Sequence, residues 1–409
     1  MTGEPAEADE PSLRVAAALV DAAIAGRDLP ALLERLGEAV SGSGVPLARA
    51  AVGVLLLHPL LDAKLVVWRR GQGASVVDSP RPAVRGDEIW RRSPFYRMRL
   101  AGEGLFRRRL ERGEGTDELA TLADLAAEGA TDYVALRTRL GAGATLGEAD
   151  DIFLSWVSDR PGGFAEEQVG LLRRLQPLAA FLFASALNVG TARTLLATYL
   201  GADAARHVLG GAIERGRAEP IRAVIWYSDL EGFTRLTDEL PREASLELLN
   251  LYAEILVDAI EAEGGEVLKF MGDGILAIFR APGACDACEA ALAAWAAARR
   301  RCAALGVRRA AGGLPATRPY LALHVGEVLY GNVGGRARLD FTVLGPAVNE
   351  ASRIAALCRS LDQPAILSEA FAGSCPERWQ ERLVRLGRYA LRGVARPQML
   401  FALDPAAEI

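Results

Sequence analysis

The sequence predicts an α+β protein with an N-terminal domain, a helical linker and a C-terminal domain. Three observations carry this reading. Strand-like apolar runs lie between segments of helical period in both halves. From Arg222 to Phe279 a buried-strand run, a long amphipathic helix and a short hairpin follow one another. Between the halves, residues 188–220 are polar-studded at helical spacing. At ~100–200 residues per domain, 409 residues accommodate such an arrangement.

Composition narrows the function classes. The chain is 51% hydrophobic and 24% charged, an ordinary globular balance. Its net charge of −5 offers no basic footprint, so nucleic acid and acidic lipid are not expected partners. Only Lys64 and Lys269 are lysine, leaving 47 − 2 = 45 arginines. Residues 1–12 are acidic, lack an apolar signal core and read as a disordered tail. No uninterrupted apolar run approaches the ~20 residues that cross a bilayer, so no transmembrane segment is expected. The five cysteines, all from Cys285 onward, form no disulfide scaffold, and a cytoplasmic location follows as the expectation.

The elements of the first half follow in order. Residues 13–40 carry apolar positions at helical spacing, and 50–57 and 65–68 read as strands. The Gly/Pro/Arg-rich stretch 71–92 reads as loop. Strands at 133–140 and 152–158 precede a turn at Arg160-Pro161-Gly162-Gly163. A helix from about Ala165 to Leu187, interrupted at Pro177, closes the region. This order, with Asp159-Arg160-Pro161-Gly162-Gly163-Phe164 before the last helix, resembles a GAF-like small-molecule sensor over residues 13–187. A PAS-like or unrelated α+β module is the open alternative. The linker 188–220 suits a connector that pairs with its own copy, or an ordinary packed helix pair.

In the C-terminal half, the strand 222–228 ends on Asp229, and Leu230-Glu231-Gly232-Phe233-Thr234 turns away from it. Pro241 opens a long helix that Gly264-Gly265 stops. Strands 266–271 and 275–279 are joined by Gly272-Asp273-Gly274, a hairpin signature. If that hairpin pairs beside the first strand, Asp229 and Asp273 converge at one sheet edge. Two carboxylates suit Mg²⁺, whose shell is completed by phosphate and water. After a helix over about 285–305, strands are expected at 320–325, 329–333 and 339–344. The last ends at Gly345-Pro346 and opens a helix that carries Asn349 and Arg353 on one face. A helix N-terminus attracts anions, and these side chains can stabilise charge on a phosphoryl group.

Taken together, these segments resemble the catalytic domain of class III adenylate/guanylate cyclases over residues 221–405. The resemblance rests on Ser228-Asp229-Leu230-Glu231-Gly232-Phe233-Thr234, Leu268-Lys269-Phe270-Met271-Gly272-Asp273-Gly274, Asp340-Phe341-Thr342-Val343-Leu344-Gly345 and Val348-Asn349-Glu350-Ala351-Ser352-Arg353. It implies a ferredoxin-like, palm-type fold that pairs head to tail as a homodimer, with active sites at the interface. It implies two Mg²⁺ (or Mn²⁺) ions per site on Asp229, Asp273 and the Leu230 carbonyl, and a triphosphate cradled by Glu231, Gly232, Phe233 and Thr234. From the partner chain, Lys269 and Thr342 would read adenine while Asn349 and Arg353 steady ribose and transition state. Arg392, before Gly393, stands where many members carry a lysine that contacts the triphosphate. Pro346-Ala347 replaces the polar pair common after the glycine, which removes a polar helix cap.

The implied activity is that of an adenylate cyclase: the ribose 3′-OH attacks the α-phosphate of ATP, giving cyclic AMP and pyrophosphate. An N-terminal sensor for an unidentified small molecule or signal would regulate it. The choice of ATP has a physical core: an ammonium donates to adenine N1 and a hydroxyl accepts from N6. A guanylate cyclase, or a non-catalytic nucleotide- or ligand-binding regulator, is the alternative. Cys285-Asp286-Ala287-Cys288 lacks the second pair that a zinc site needs and reads as helix packing. Gly331-Asn332-Val333-Gly334-Gly335 reads as a β-turn.

Overall fold

In the computed structural model, which describes residues 10–81, 91–147 and 150–404, contacts divide the chain into two units, Met1–Leu195 and Leu196–Ile409. Residues 1–9 of the expected tail, 82–90 of the expected loop and position 405 lie outside the described residues.

The first unit is built on an antiparallel six-stranded sheet in the order β3-β2-β1-β6-β5-β4. These strands are β1 (Arg49–Leu55), β2 (Leu61–Arg69), β3 (Gly73–Pro80), β4 (Leu105–Arg108), β5 (Asp132–Arg139) and β6 (Asp151–Ser158). Helices α1 (Glu10–Ile24), α2 (Leu29–Gly42) and α5 (Glu166–Leu200) cover one face with a core that includes Leu33, Leu36, Val52, Leu154, Leu172 and Phe183. Gly37 is required there, because a Cβ would stand 2.4 Å from the Trp68 indole. The other face carries α3 (Pro94–Ala101) and α4 (Ala120–Ala127), packed through Phe95, Met98, Leu122 and Tyr133.

Several expectations are corrected here. The helical segment 13–40 is two helices, because the Asp28 side chain caps α2 by accepting from the Ala31 N–H 3.1 Å away. Residues 73–80, read as loop, form the edge strand β3. With Val76 and Val77 both exposed, no buried face imposed an alternation that could mark it. Pro177 lies inside α5 without interrupting it, and the helix continues to Leu200. Its buried stripe, Leu172, Leu175, Ala179 and Phe183, spans the proline, so packing outweighs the lost backbone bond. By joining shorter apolar runs, α5 becomes long and apolar enough to cross a membrane by length and composition, although 44% of the apolar window is buried in protein.

The second unit has an eight-stranded sheet ordered β13-β14-β12-β10-β7-β9-β8, with β11 also paired to β10. The strands are β7 (Ala218–Leu230), β8 (Glu266–Met271), β9 (Gly274–Arg280), β10 (Pro319–Gly334), β11 (Leu339–Leu344), β12 (Ala365–Ser368), β13 (Leu383–Tyr389) and β14 (Gln398–Leu403). With α8 (Arg242–Ala262) and α9 (Ala284–Ala311), the central part runs β7-α8-β8-β9-α9-β10, a βαββαβ unit in the spatial order β10-β7-β9-β8. Trp226, Phe279 and Trp295 lie in the core beneath these helices. α6 (Ala202–Leu209) and α10 (Pro346–Ser360) pack on a second core with Tyr330 and Phe341. A short helix α7 (Phe233–Glu239) follows β7, and α11 (Glu369–Ala372) and α12 (Glu377–Gln380) lie near the C-terminus.

The stretch expected as helical linker is helix only through Leu209, and β7 begins at Ala218. The strands expected at 320–325 and 329–333 are one strand, β10. Gly331, read as part of a turn, pairs with Ala218 on β7. A Cβ there would lie 2.2 Å from the Arg217 carbonyl, so the glycine serves close approach of two strands.

Candidate active site

β7 and β9 pair from Ala223↔Arg280 to Ser228↔Ile275, which brings the hairpin tip to the end of β7. Asp273 Oδ2 there accepts from the Leu230 N–H at 3.3 Å. Gly274 makes this approach possible, since a Cβ would meet the Ser228 carbonyl at 2.9 Å. Asp229 shares the site, and its carboxyl is pushed up to about 6 by desolvation, by a hydrogen bond with Asp273 and by that residue's charge. Leu230 faces Pro319 on β10, which has no N–H to donate. The neighbouring Glu231 N–H donates to the Arg318 carbonyl at 2.9 Å, so the alternation of the ladder turns the Leu230 backbone toward Asp273. Two crowded carboxylates and a carbonyl form an all-oxygen donor set that fits a hard divalent cation.

The Glu231–Thr234 turn is partly occupied. The Glu231 N–H is already used, and its carboxylate accepts from Arg318 and, at 2.6 Å, from the Tyr320 hydroxyl. These donors hold that carboxyl below the usual range. The Phe233 ring is buried in a core with Leu248 and Tyr252, so only its backbone faces outward chemistry. Gly232, at φ +64°, starts α7, and the first N–H groups of a helix have no intrahelical acceptor. Thr234 is exposed.

Lys269 lies on β8 with its Nζ 2.7 Å from Asp340 Oδ2 on β11. Thr342 is two residues beyond Asp340 and therefore shares its face. Its side chain is 3% exposed, and Oγ1 is buried with no hydrogen-bond partner. Asn349 is exposed on α10, and Arg353 follows one turn later, half-buried. A Cβ on Gly393 would stand 3.5 Å from Arg353 Nη2, so that guanidinium lies over the turn that carries the exposed Arg392. Pro346 fits the first turn of α10, and Ala347 is buried beside Gly326.

The described contacts thus join the expected residues in three groups: Asp229, Leu230 and Asp273; Lys269 and Thr342 through Asp340; Arg353 and the Arg392 turn. Asp340, Arg318 and Tyr320 were missed as members of the site. Asp340 opens the segment Asp340–Gly345, but only the β8 to β11 adjacency reveals its lysine partner. Among the described residues no cluster of three or more His, Cys, Asp or Glu suits a metal, so any ion on the acid pair needs oxygens from outside those side chains. Cys285 is exposed and Cys288 buried on α9.

No family model matches the chain. It is 32% identical over 174 residues to a protein of Anabaena cylindrica named adenylate cyclase, a match covering 42% of this chain and 35% of that protein. An uncharacterized protein of Mycobacterium tuberculosis is 35% identical over 162 residues, 38% of this chain and 29% of its own length. Among solved structures, the adenylyl cyclase CyaB from P. aeruginosa matches with a TM-score of 0.43 and 25% identity, over 47% of this chain and 97% of its own. A protein of Rhizobium meliloti named adenylate cyclase 1 is 28% identical over 156 residues, 37% of this chain and 23% of that protein. The chain spans about a third of the length of the curated relatives it matches.

Proposed function

We propose that this protein is an adenylate cyclase that works as a homodimer and is regulated by its N-terminal region. The observation that carries the reading is the meeting of Asp229 with Asp273, because the mutual repulsion of two crowded carboxylates is what a divalent cation relieves. Residues 221–405 are the catalytic domain, 13–187 the sensor and 188–220 the transmitter in this reading.

Asp229, Asp273 and the Leu230 carbonyl would hold Mg²⁺ or Mn²⁺. When bound, such ions supply Lewis acidity at the attacking and leaving oxygens of an in-line displacement at phosphorus. The backbone N–H groups of Gly232, Phe233 and Thr234 hold the triphosphate, and Arg392 balances its charge. Lys269 donates to adenine N1, and the unpartnered Thr342 hydroxyl accepts from N6. Asn349 steadies the ribose, and Arg353 stabilises charge that grows on the α-phosphate as the 3′-oxygen bonds to phosphorus and pyrophosphate departs. Lys269, Thr342, Asn349 and Arg353 act on the nucleotide held by the partner's acid pair, which accounts for the three separate groups within one chain.

The test is product formation by purified protein given ATP or GTP with Mg²⁺ or Mn²⁺. Cyclic AMP from ATP, lost in Asp273→Ala, is expected. Faster turnover of GTP overturns the substrate, and full activity in Asp273→Ala overturns the metal assignment.

A further inference from the structure

On β1 the residues alternate: Ala50, Val52 and Val54 enter the core beneath α2, while Arg49, Ala51 and Gly53 face the side of α3 and α4. On that second side the strands carry small residues. Gly53 lies opposite Phe153, and a Cβ on it would stand 2.8 Å from the Phe95 ring. What remains is a cavity of about 190 Å³. Phe95 and Phe153, stacked with centroids 5.1 Å apart, form an apolar wall together with Leu65. Arg49, Tyr133 and Ser155 form a polar side.

The polar side has no anion paired to it among the described residues: Glu128 is near enough to act on the Arg49 charge but makes its ion pair with Arg69, at 3.5 Å. Arg49 Nε is buried with no hydrogen-bond partner, and among the described residues no carboxylate is ion-paired with Arg49. Neighbouring strands treat their arginines differently. Arg107 is paired with buried Asp132 at 2.8 Å and Arg137 with buried Asp151 at 2.6 Å. A desolvated, incompletely paired guanidinium is costly, and an apolar residue would serve stability better. Burial also draws the Arg49 guanidinium below its usual range, and pushes the Tyr133 phenol up to about 12 against the hydrogen bond it shares with Ser155, so its hydroxyl keeps its proton. The Arg49 Nε–H therefore stands without an acceptor, next to a phenol that keeps its proton.

Size and wall chemistry define that acceptor further. A cavity of about 150 Å³ holds benzene, whereas pockets for drug-sized molecules begin near about 300 Å³. A nucleotide is too large for this space, and a bare inorganic anion would leave the phenylalanine wall unfilled. We infer that this cavity binds a small monocarboxylate with an apolar body of about one aromatic ring, its carboxylate on Arg49 and the Tyr133 hydroxyl. The site stands on its own geometry; only its consequence for turnover rests on the regulatory reading above.

The test uses the full chain and measures heat of binding and melting temperature with benzoate, phenylacetate and hexanoate, and with benzamide as the uncharged counterpart. At least one acid is expected to bind saturably at one per chain and raise the melting temperature. Benzamide should bind about tenfold more weakly or worse, the worth of a charge-assisted hydrogen bond. Arg49→Met should reduce the acids to the benzamide level. Should that variant fail to fold, the comparison of acid with amide on the unaltered protein still decides. No saturation by any of the three acids, or equal binding of benzoate and benzamide, overturns the proposal. Cyclase turnover is read separately: an acid that binds without altering turnover keeps the site and removes its regulatory role, and an inactive protein that binds the acid keeps the site and overturns the cyclase reading.

Discussion

Lys269 Nζ lies 2.7 Å from Asp340 Oδ2, across from β8 to β11, with the buried Thr342 hydroxyl on the same face. The lysine is 32% exposed and the aspartate 54%, so the pair contributes about 1 kcal/mol or less and gives way easily to a better partner. Asp340 aims the ammonium without trapping it. Asp340→Asn should therefore raise KM for ATP by less than about tenfold and leave kcat nearly intact. Lys269→Glu should lower kcat/KM for ATP by about a hundredfold and improve the GTP to ATP ratio, because a reversed hydrogen-bond pattern leaves buried groups unpaired. Steady-state kinetics with both nucleotides measure this. A ratio unmoved by Lys269→Glu would mean that another residue reads the base.

The acid pair has a stability signature that is independent of turnover. Because burial and Asp273 push the Asp229 carboxyl up to about 6, above the ordinary carboxylate range, the folded protein binds its proton more tightly than the unfolded chain. The group therefore destabilises the metal-free protein above about pH 6, and that effect fades as pH falls through 6 toward 4. Asp229→Asn should melt higher than the parent at pH 8 in chelator, with the difference shrinking by pH 4.5. Added Mg²⁺ should stabilise the parent and not the variant. Equal melting at both pH values would show that the two carboxylates do not oppose each other.

Gly326 and Ala347 set where α10 begins. A Cβ on Gly326 would stand 2.5 Å from the Ala347 methyl, two residues before Asn349. Gly326→Ala should cost about 1–3 kcal/mol, the usual range for overpacking. It should also lower kcat by displacing Asn349 and Arg353 together. Ala347→Gly in the same chain should restore both. Denaturant midpoints and kcat on the double variant check this, and failure of the second change to rescue would place the damage elsewhere.

Arg280 anchors α6 to the hairpin. Its Nη2 lies 2.6 Å from Asp203 Oδ2, its Nε 3.2 Å from Glu266, and its guanidinium 4.8 Å from the Tyr330 ring centroid. Removing it leaves Glu266 without its ion-pair partner, and leaves the nearly buried Asp203 held by the exposed Arg206 at 2.5 Å and by His207. Arg280→Met should destabilise the protein by about 2 kcal/mol or more. Urea denaturation should show a lower midpoint with the slope unchanged. Asp203→Asn combined with Arg280→Met should recover part of the loss, since it removes the like charge beside Glu266.

Much of the second unit was legible because its elements carry local signals. Pro241 precedes α8, and Gly272 takes a positive φ between β8 and β9 as hairpin chemistry demands. The unbroken apolar run Val224-Ile225-Trp226 marked a strand buried on both faces. The first unit was less legible. β3 has no buried face, β4 has only four residues, and Pro177 disguised a continuous helix whose stability comes from packing. Arg318 and Tyr320 had no visible link to Glu231, because 87 and 89 residues separate them.

By itself the sequence determined the local elements, the turn that carries Asp273, and the rarity of lysine that singled out Lys269. These properties depend on neighbours a few residues away, where propensity and period act. Tertiary structure alone decided that Lys269 faces Asp340, that the Glu231 carboxylate is engaged, and that Arg49 Nε is buried beside a cavity with no hydrogen-bond partner. Each of these depends on the register of strands distant in sequence, and on small residues whose meaning is the space they leave. Such relations exist only once the sheet is assembled.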